Sequence, residues 1–359
     1  MQYHTGIKIE KRGIPKMNKD ELIKQLRAEL TGDLQKDIAH LQAVAEDLRG
    51  EENADELTAA AADLAFEIMP DDVRAKMEDM TFVNGKRMDL AFGDALKLVN
   101  EGRMNGAAAI LKTISDKIAQ YYEGDHPKYF SFRNPFEYHM YRYYFPNDTE
   151  FDRAPFDFAH YLALYGFVLL EQRDARTAEE VLERAVKFNP VSADVRFELA
   201  ELCKFGNNQK KLLSVNIESL RYATTADRIA HVLANMGFYC YREQDFYSAA
   251  VFYFESIRFQ PSQAVEFELQ DVLRRMKTFG QKFTPPTHGQ TIDVYEKYGL
   301  QPPPNKDLVN LAVTLAENAK QYRRTDLEAL FNRVAFDLTN DPHFREEMER
   351  IAKEKREEQ

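Results

Sequence analysis

The sequence predicts an all-α chain: an α-solenoid of stacked helix pairs behind an N-terminal helical cap. Three observations carry this. Apolar residues recur at spacings of three and four along nearly the whole chain, which is the period of a helix with one buried face. Alternating β-branched residues are almost absent. Small residues and prolines return at fixed intervals, the mark of a repeat architecture. The chain has 359 residues, a formal charge of −11 and 44% apolar positions. That composition supports a large core and excludes wholesale disorder.

The elements read in order as follows. Residues 1–17 are polar, with Gly6, Gly13 and Pro15 as breakers. Asn18 and Glu21 read as a helix start, and Leu22, Leu26 and Leu30 form its stripe up to Gly32. Leu34, Ile38, Leu41, Ala45 and Leu48 form a second stripe, ended by Gly50. Asn53 and Glu56 open a third helix over 54–69, closed by Pro70. Residues 71–82 read as a short charged helix or turn. Helices over 90–100 and 104–122 flank Gly102.

The stretch 123–157 breaks this rhythm. It holds Pro127, Pro135, Pro146 and Pro155, and nine of the seventeen residues from 129 to 145 are aromatic. Only 136–144 fits a helix there. Large rings can anchor such a connection by burying area. They can also plug a groove or present tyrosines to a partner. Helices resume over 158–277. Residues 279–305 form a second irregular stretch with a short helix over 292–298. A pair follows over 306–322 and 326–338, with Thr325 and Glu328 as a capping box, and the tail after Pro342 reads as a solvated helix. The expected domains are therefore an N-terminal helical region over 1–82, a repeat array over 83–278 carrying the 123–157 insertion, a Pro/Gly-rich linker over 279–305, and a C-terminal pair with its tail over 306–359.

The repeat sits in the array. Gly166, Ala178 and Pro190 are spaced by twelve and twelve, and Gly237, Ala249 and Pro261 repeat that spacing 71 residues later. Ala95, Ala107 and Ala119 hold the same frame, as do Ala200, Leu212 and Thr224 with two substitutions. Two antiparallel helices of about four turns with a tight turn need roughly this length. A small residue belongs where they cross most closely, so Gly166 is expected against Ala178 and Gly237 against Ala249. Thr177 and Glu180 suggest a capping box on the second helix of the best unit. Leu212, in place of a small residue, predicts a wider or shifted crossing in the middle unit.

Leu162, Tyr165, Gly166 and Leu169, followed by Ala178, Leu182, Ala185 and Pro190, resemble a tetratricopeptide repeat. So do Leu233, Met236, Gly237 and Cys240 with Ala249, Tyr253 and Pro261. The resemblance covers 159–263 well and 86–122 in part. It implies a superhelix whose first helices line a concave face, and a non-catalytic scaffold that binds a protein or peptide there. Candidate groove residues are Leu164, Phe167 and Leu170, then Phe197 and Lys204, then Asn235, Phe238, Tyr241 and Arg242, with His160, Glu201 and Phe205 beside them. The pattern does not fill a clamp for a C-terminal carboxylate. An alternative is a regulator whose N-terminal region carries the output while the repeats sense a peptide or protein.

Other functions find little support. The acidic balance argues against nucleic acid, which needs clustered Lys and Arg. The best apolar run, 161–170, is too short to span a bilayer, and no secretory signal is read at the start of the chain, so a cytoplasmic protein is expected. No phosphate-binding glycine loop, G-x-S-x-G or H-E-x-x-H is present, so neither an enzyme nor a cofactor is expected. No two His lie three or four apart, and Cys203 and Cys240 fit neither a zinc site nor a disulfide framework.

Overall fold

The computed structural model describes residues 19–47, 54–124 and 128–357. The starts read at Asn18 and Asn53, and the end read at Gly50, lie outside these. The chain divides into two compact units, Met1–Phe82 and Val83–Gln359.

The first unit holds α1 (Lys19–Glu29), α2 (Leu34–Asp47), α3 (Ala54–Glu67) and α4 (Asp71–Thr81). Leu22 and Leu26 of α1, Leu41 of α2, and Leu57, Ala60, Ala61 and Leu64 of α3 form its core. Gly32 takes φ +82°, which only a residue without Cβ adopts cheaply. The buried Asp37 carboxylate accepts the backbone N–H groups of Thr31 and Gly32, tying the α1–α2 turn. Those bonds, Thr31's first, hold its acidity above that of a free aspartate.

A hairpin of β1 (Phe82–Val83) and β2 (Lys86–Arg87) follows. Asn84 and Gly85 both have positive φ, as a two-residue hairpin turn between right-twisted strands requires.

The second unit is built from antiparallel helix pairs. They are α5 (Met88–Asn100) with α6 (Met104–Tyr122), α8 (Phe158–Glu171) with α9 (Ala175–Phe188), α10 (Ala193–Phe205) with α11 (Gln209–Tyr222), and α12 (Ala226–Arg242) with α13 (Phe246–Phe259). Between α6 and α8 lie β3 (Tyr129–Phe130), α7 (Pro135–Tyr144) and β4 (Asp152–Arg153). After α13 come α14 (Gln263–Thr278), α15 (His288–Lys297), the pair α16 (Lys306–Gln321) and α17 (Thr325–Thr339), and α18 (Pro342–Glu357).

One turn closes each pair. In the best unit the Arg173 N–H reaches Leu170 O at 2.9 Å and the Asp174 N–H reaches Leu169 O at 2.9 Å, with Arg173 at φ +64°. This is the Schellman arrangement, which satisfies carbonyls left over at the end of a helix. Gly102, Asn207, Gln244 and Arg323 hold the same left-handed position in the other pairs. In three units the next residue then caps the second helix: Asp174 accepts from Thr177 N, Asn208 from Lys211 N and Asp245 from Ser248 N. The expected capping box at Thr177 and Glu180 is therefore not formed, because Asp174 fills the cap one turn earlier. At α17 the cap residue is Arg324, with no side-chain bond. Glu328 is drawn instead to the Arg350 guanidinium of α18, so that capping box is also absent.

The small residues mark close crossings, and a large side chain of the second helix fills the space against each glycine. A Cβ on Gly166 would lie 2.5 Å from Leu182, and one on Gly237 would lie 2.7 Å from the Tyr253 ring. Ala178 and Ala249, fully buried, sit one turn earlier. The glycines thus make room for a large side chain of the second helix. In the middle unit Leu212 is fully buried, and α10 and α11 touch over less of their length than the flanking pairs.

A continuous core runs from Phe130, Phe136 and Tyr141 through α12 and α13 to Tyr295, Phe331 and Leu338. The aromatic insertion is part of it. β3 and β4 pair in parallel, Tyr129 with Asp152 and Phe130 with Arg153. The 279–305 stretch joins the same core through Val294, Tyr295 and Leu300. The tail helix α18 buries Ile351 and packs on α17, so it is less solvated than its composition suggests.

Candidate functional site

The first helices α8, α10 and α12 neighbour one another in that order. Each gives its deepest face to its own partner helix and leaves a second face half open. On α8 that face carries His160, Leu164 and Phe167. On α10 it carries Phe197, Glu198, Glu201 and Lys204, and on α12 it carries His231 and Phe238.

A pocket of about 210 Å3 lies between α8 and α10. His160, Ala163, Leu164 and Phe167 form one wall, and Asp194, Val195 and Glu198 form the other. Arg133 reaches in from the insertion and is held by Asp194 at 2.9 Å and Asp157 at 3.5 Å. Arg228 takes the other side of Asp194 with two bonds of 2.7 Å. These charges are therefore already matched. Burial, then the Arg133 charge, lowers the His160 pKa and favours its neutral ring.

Glu198 is different. Its carboxyl has no hydrogen-bond or ion-pair partner among the described residues. Burial, and then the nearby Glu201 charge, push its pKa up to about 7. A half-buried carboxyl beside apolar walls is costly to ionise without a cation. Its neighbour Glu201 shows the contrast: burial acts against its charge, yet bonds from His231 and Lys204 outweigh it and its pKa falls.

Beyond the pocket the face continues as a strip. Phe197 stacks on His231 with centroids 4.3 Å apart and planes at 10°. Lys204 bonds Glu201 at 2.6 Å and lies over the Phe238 ring at 5.5 Å.

The structure distributes the candidate groove residues as follows. Leu164 and Phe167 line the pocket. Phe197, Lys204 and Phe238 lie on the strip. Leu170 is half-buried and does not line the pocket. Asn235 is buried at 2% exposure, with its Nδ2 unpartnered, so it is not a surface contact as it stands. Tyr241 donates to Asp271 of α14 at 3.2 Å, and Arg242 bonds Asn207 at 2.8 Å, so both are engaged beside the strip. Phe205 is 61% exposed. Sequence reasoning missed Glu198, Asp194 and the reach of Arg133. Only the helical spacing of Asp194, Glu198 and Glu201 could have hinted at an acidic edge.

Among the described residues no three His, Cys, Asp or Glu are grouped to hold a metal, and no helix is long and apolar enough to cross a membrane. Cys203 and Cys240 are both buried and unpaired; burial pushes their thiols up, to about 11 and about 12.

No protein-family model matches the chain, and no curated protein matches it. Among solved structures it is similar to PilF of Pseudomonas aeruginosa, at 14% identity over 74% of this chain and 97% of that one, with a TM-score of 0.39. It is also similar to a chain of the APC/C hetero-tetramer Cut9–Hcn1, at 13% identity over 93% of this chain and 67% of that one, with a TM-score of 0.24. Consecutive antiparallel pairs, the same left-handed turn in each, and glycines at the crossings of α8 with α9 and of α12 with α13 make the second unit an α-solenoid of tetratricopeptide-like helix pairs.

Proposed function

We propose that the face carried by α8, α10 and α12 binds a protein partner, without catalysis, by seating a peptide segment whose basic side chain meets Glu198. The observation that carries this is the unpartnered Glu198 carboxyl in a pocket sized for one long side chain. Leu164, Phe167 and Val195 cover the aliphatic stem of a Lys or Arg, and Glu198 takes its charge. The strip from Phe197 to Phe238 extends the contact with rings, the residue type that anchors interfaces. The overall charge of −11 favours encounter with a basic segment.

The test is selection from a random-peptide display library on the full chain. Selected peptides carry Lys or Arg at one recurrent position, and E198Q removes that preference and weakens a selected peptide about tenfold. F167D, on the half-open wall, abolishes capture while helicity by circular dichroism is unchanged. Failure to select any peptide, or selection indifferent to both variants, contradicts the reading.

A further inference from the structure

A second pocket, of about 490 Å3, lies in the aromatic insertion. The residues that line it share faces of their elements. Phe130 and Phe132 are two apart along β3 and its extension, and Phe151 and Arg153 are two apart along β4 and the residue before it. Side chains two apart leave a strand on the same side. Pro135, Tyr138 and Arg142 lie three and four apart on α7, so they share one face of that helix. Its opposite face, with Phe136 and Met140, is buried in the core.

The three accessible rings touch one another edge to face. Phe132, Tyr138 and Phe151 have centroids 6.1 to 6.2 Å apart and planes at 62° to 81°. Rings in mutual contact form a wall and leave no cage between them for a cation. The buried Phe130 closes the floor. Tyr138, at 41% exposure, offers an open ring.

The charge around this wall is one-sided. Arg133, Arg142 and Arg153 line the pocket, and no lining residue is acidic. Arg133 is taken by Asp157 and Asp194. Arg142 and Arg153 have no ion-pair partner among the described residues. The nearby Asp148 does not line the pocket and is held by Tyr141 and Lys128. Two unmatched guanidinium groups beside an aromatic wall, in a chain of charge −11, are an uncommon local excess of positive charge.

We propose that this pocket binds a mononucleotide, its base stacked on the open Tyr138 ring beside Phe132 and Phe151 and its phosphate held by Arg142 and Arg153. Two guanidinium groups match a phosphate, which carries close to two negative charges, better than a single carboxylate. Stacking of a base on aromatic side chains contributes without demanding one base. The volume falls in the range of sites for drug-sized ligands, roughly 300–1,000 Å3, which a phenyl phosphate would leave largely unfilled. A long nucleic-acid strand is disfavoured by the net charge of the rest of the chain. The site meets the α8–α10–α12 face only at Arg133, which lines both pockets and is held by Asp157 and Asp194, while Arg142 and Arg153 line this pocket alone.

The test is calorimetric titration of the full chain with AMP and UMP, beside adenosine, ribose 5-phosphate, phenyl phosphate, an aromatic carboxylate and inorganic phosphate. AMP and UMP are expected to bind at least about tenfold more tightly than any of the others. R142A, R153A and Y138A are each expected to weaken AMP about tenfold, while R176A, on exposed α9 surface, has no effect. Circular dichroism and thermal melting confirm that the variants fold. No binding of either nucleotide, equal binding of adenosine or of any of the smaller anions, or wild-type affinity in both R142A and R153A overturns the proposal.

Discussion

At the scale of single residues, Glu198 is the group most displaced from its ordinary behaviour on the candidate face. Its carboxyl titrates near 7 in the folded chain, against 4.5 when free. The native state therefore holds this proton more firmly than the unfolded chain does. Between pH 4.5 and 7 the native state binds the larger number of protons, so this group's contribution to stability declines as pH rises and is gone above 7. E198Q is expected to raise stability by about 1 kcal/mol at pH 8, less than the full linkage value because the carboxyl keeps some access to water. The gain should vanish near pH 4. Denaturant unfolding at the two pH values measures this, and an equal effect at both would refute the assignment. Glu198 could not be singled out from the sequence. Helical spacing places it beside Asp194 and Glu201, but the pocket it lines is completed by residues outside α10, which a reading of that helix alone does not contain. Asn235 failed in the opposite direction: its position suggested a surface contact, whereas the neighbouring helices cover it.

At the scale of helix pairs, the recurring small residues were legible and the large side chains that pack on them were not. Gly166 and Gly237 lie where two backbones approach, as their spacing suggested. The side chains filling the space are Leu182 and Tyr253. Each lies four residues beyond the small residue of its helix, Ala178 or Ala249, because a helical side chain leans toward the N-terminus of its own helix and covers the turn before it. G166A and G237A each force a methyl group into a filled site and are expected to cost about 1–3 kcal/mol. G93A, in α5 with nothing within 4 Å of the added carbon, should be neutral or stabilising by up to about 1 kcal/mol. Chemical denaturation of the three variants checks this; equal effects would show that the crossings are not close. The caps teach a similar lesson. Asp174 and Asp245 do the work, each directly after a left-handed residue, and that order was present in the sequence. Thr177 drew attention because Glu180 follows it by three. The pairing of β3 with β4 was beyond reach, since two-residue strands more than twenty positions apart leave no periodic signal.

At the scale of the molecule, the repeat architecture of the second unit was readable because the same crossing and turn recur along it. The pockets were not, because they arise where faces of neighbouring helix pairs meet or where the insertion folds back on itself. The insertion broke the helical rhythm, and its ring content announced burial. The parallel pair and α7 then leave part of that aromatic surface open beside two arginines. The stretch 279–305 read as a linker, yet Tyr295 is buried at 1% exposure within the common core.

We propose that a partner peptide sits on the first-helix face of the second unit. Hydrogen exchange of the full chain, with and without the tightest peptide from the display selection, probes this at each helix. Slowed exchange is expected in α8, α10 and α12, centred on residues 164–167 and 197–204, with α9, α11 and α13 unchanged. Protection confined to those second helices, or to the helices of the first unit, would contradict it.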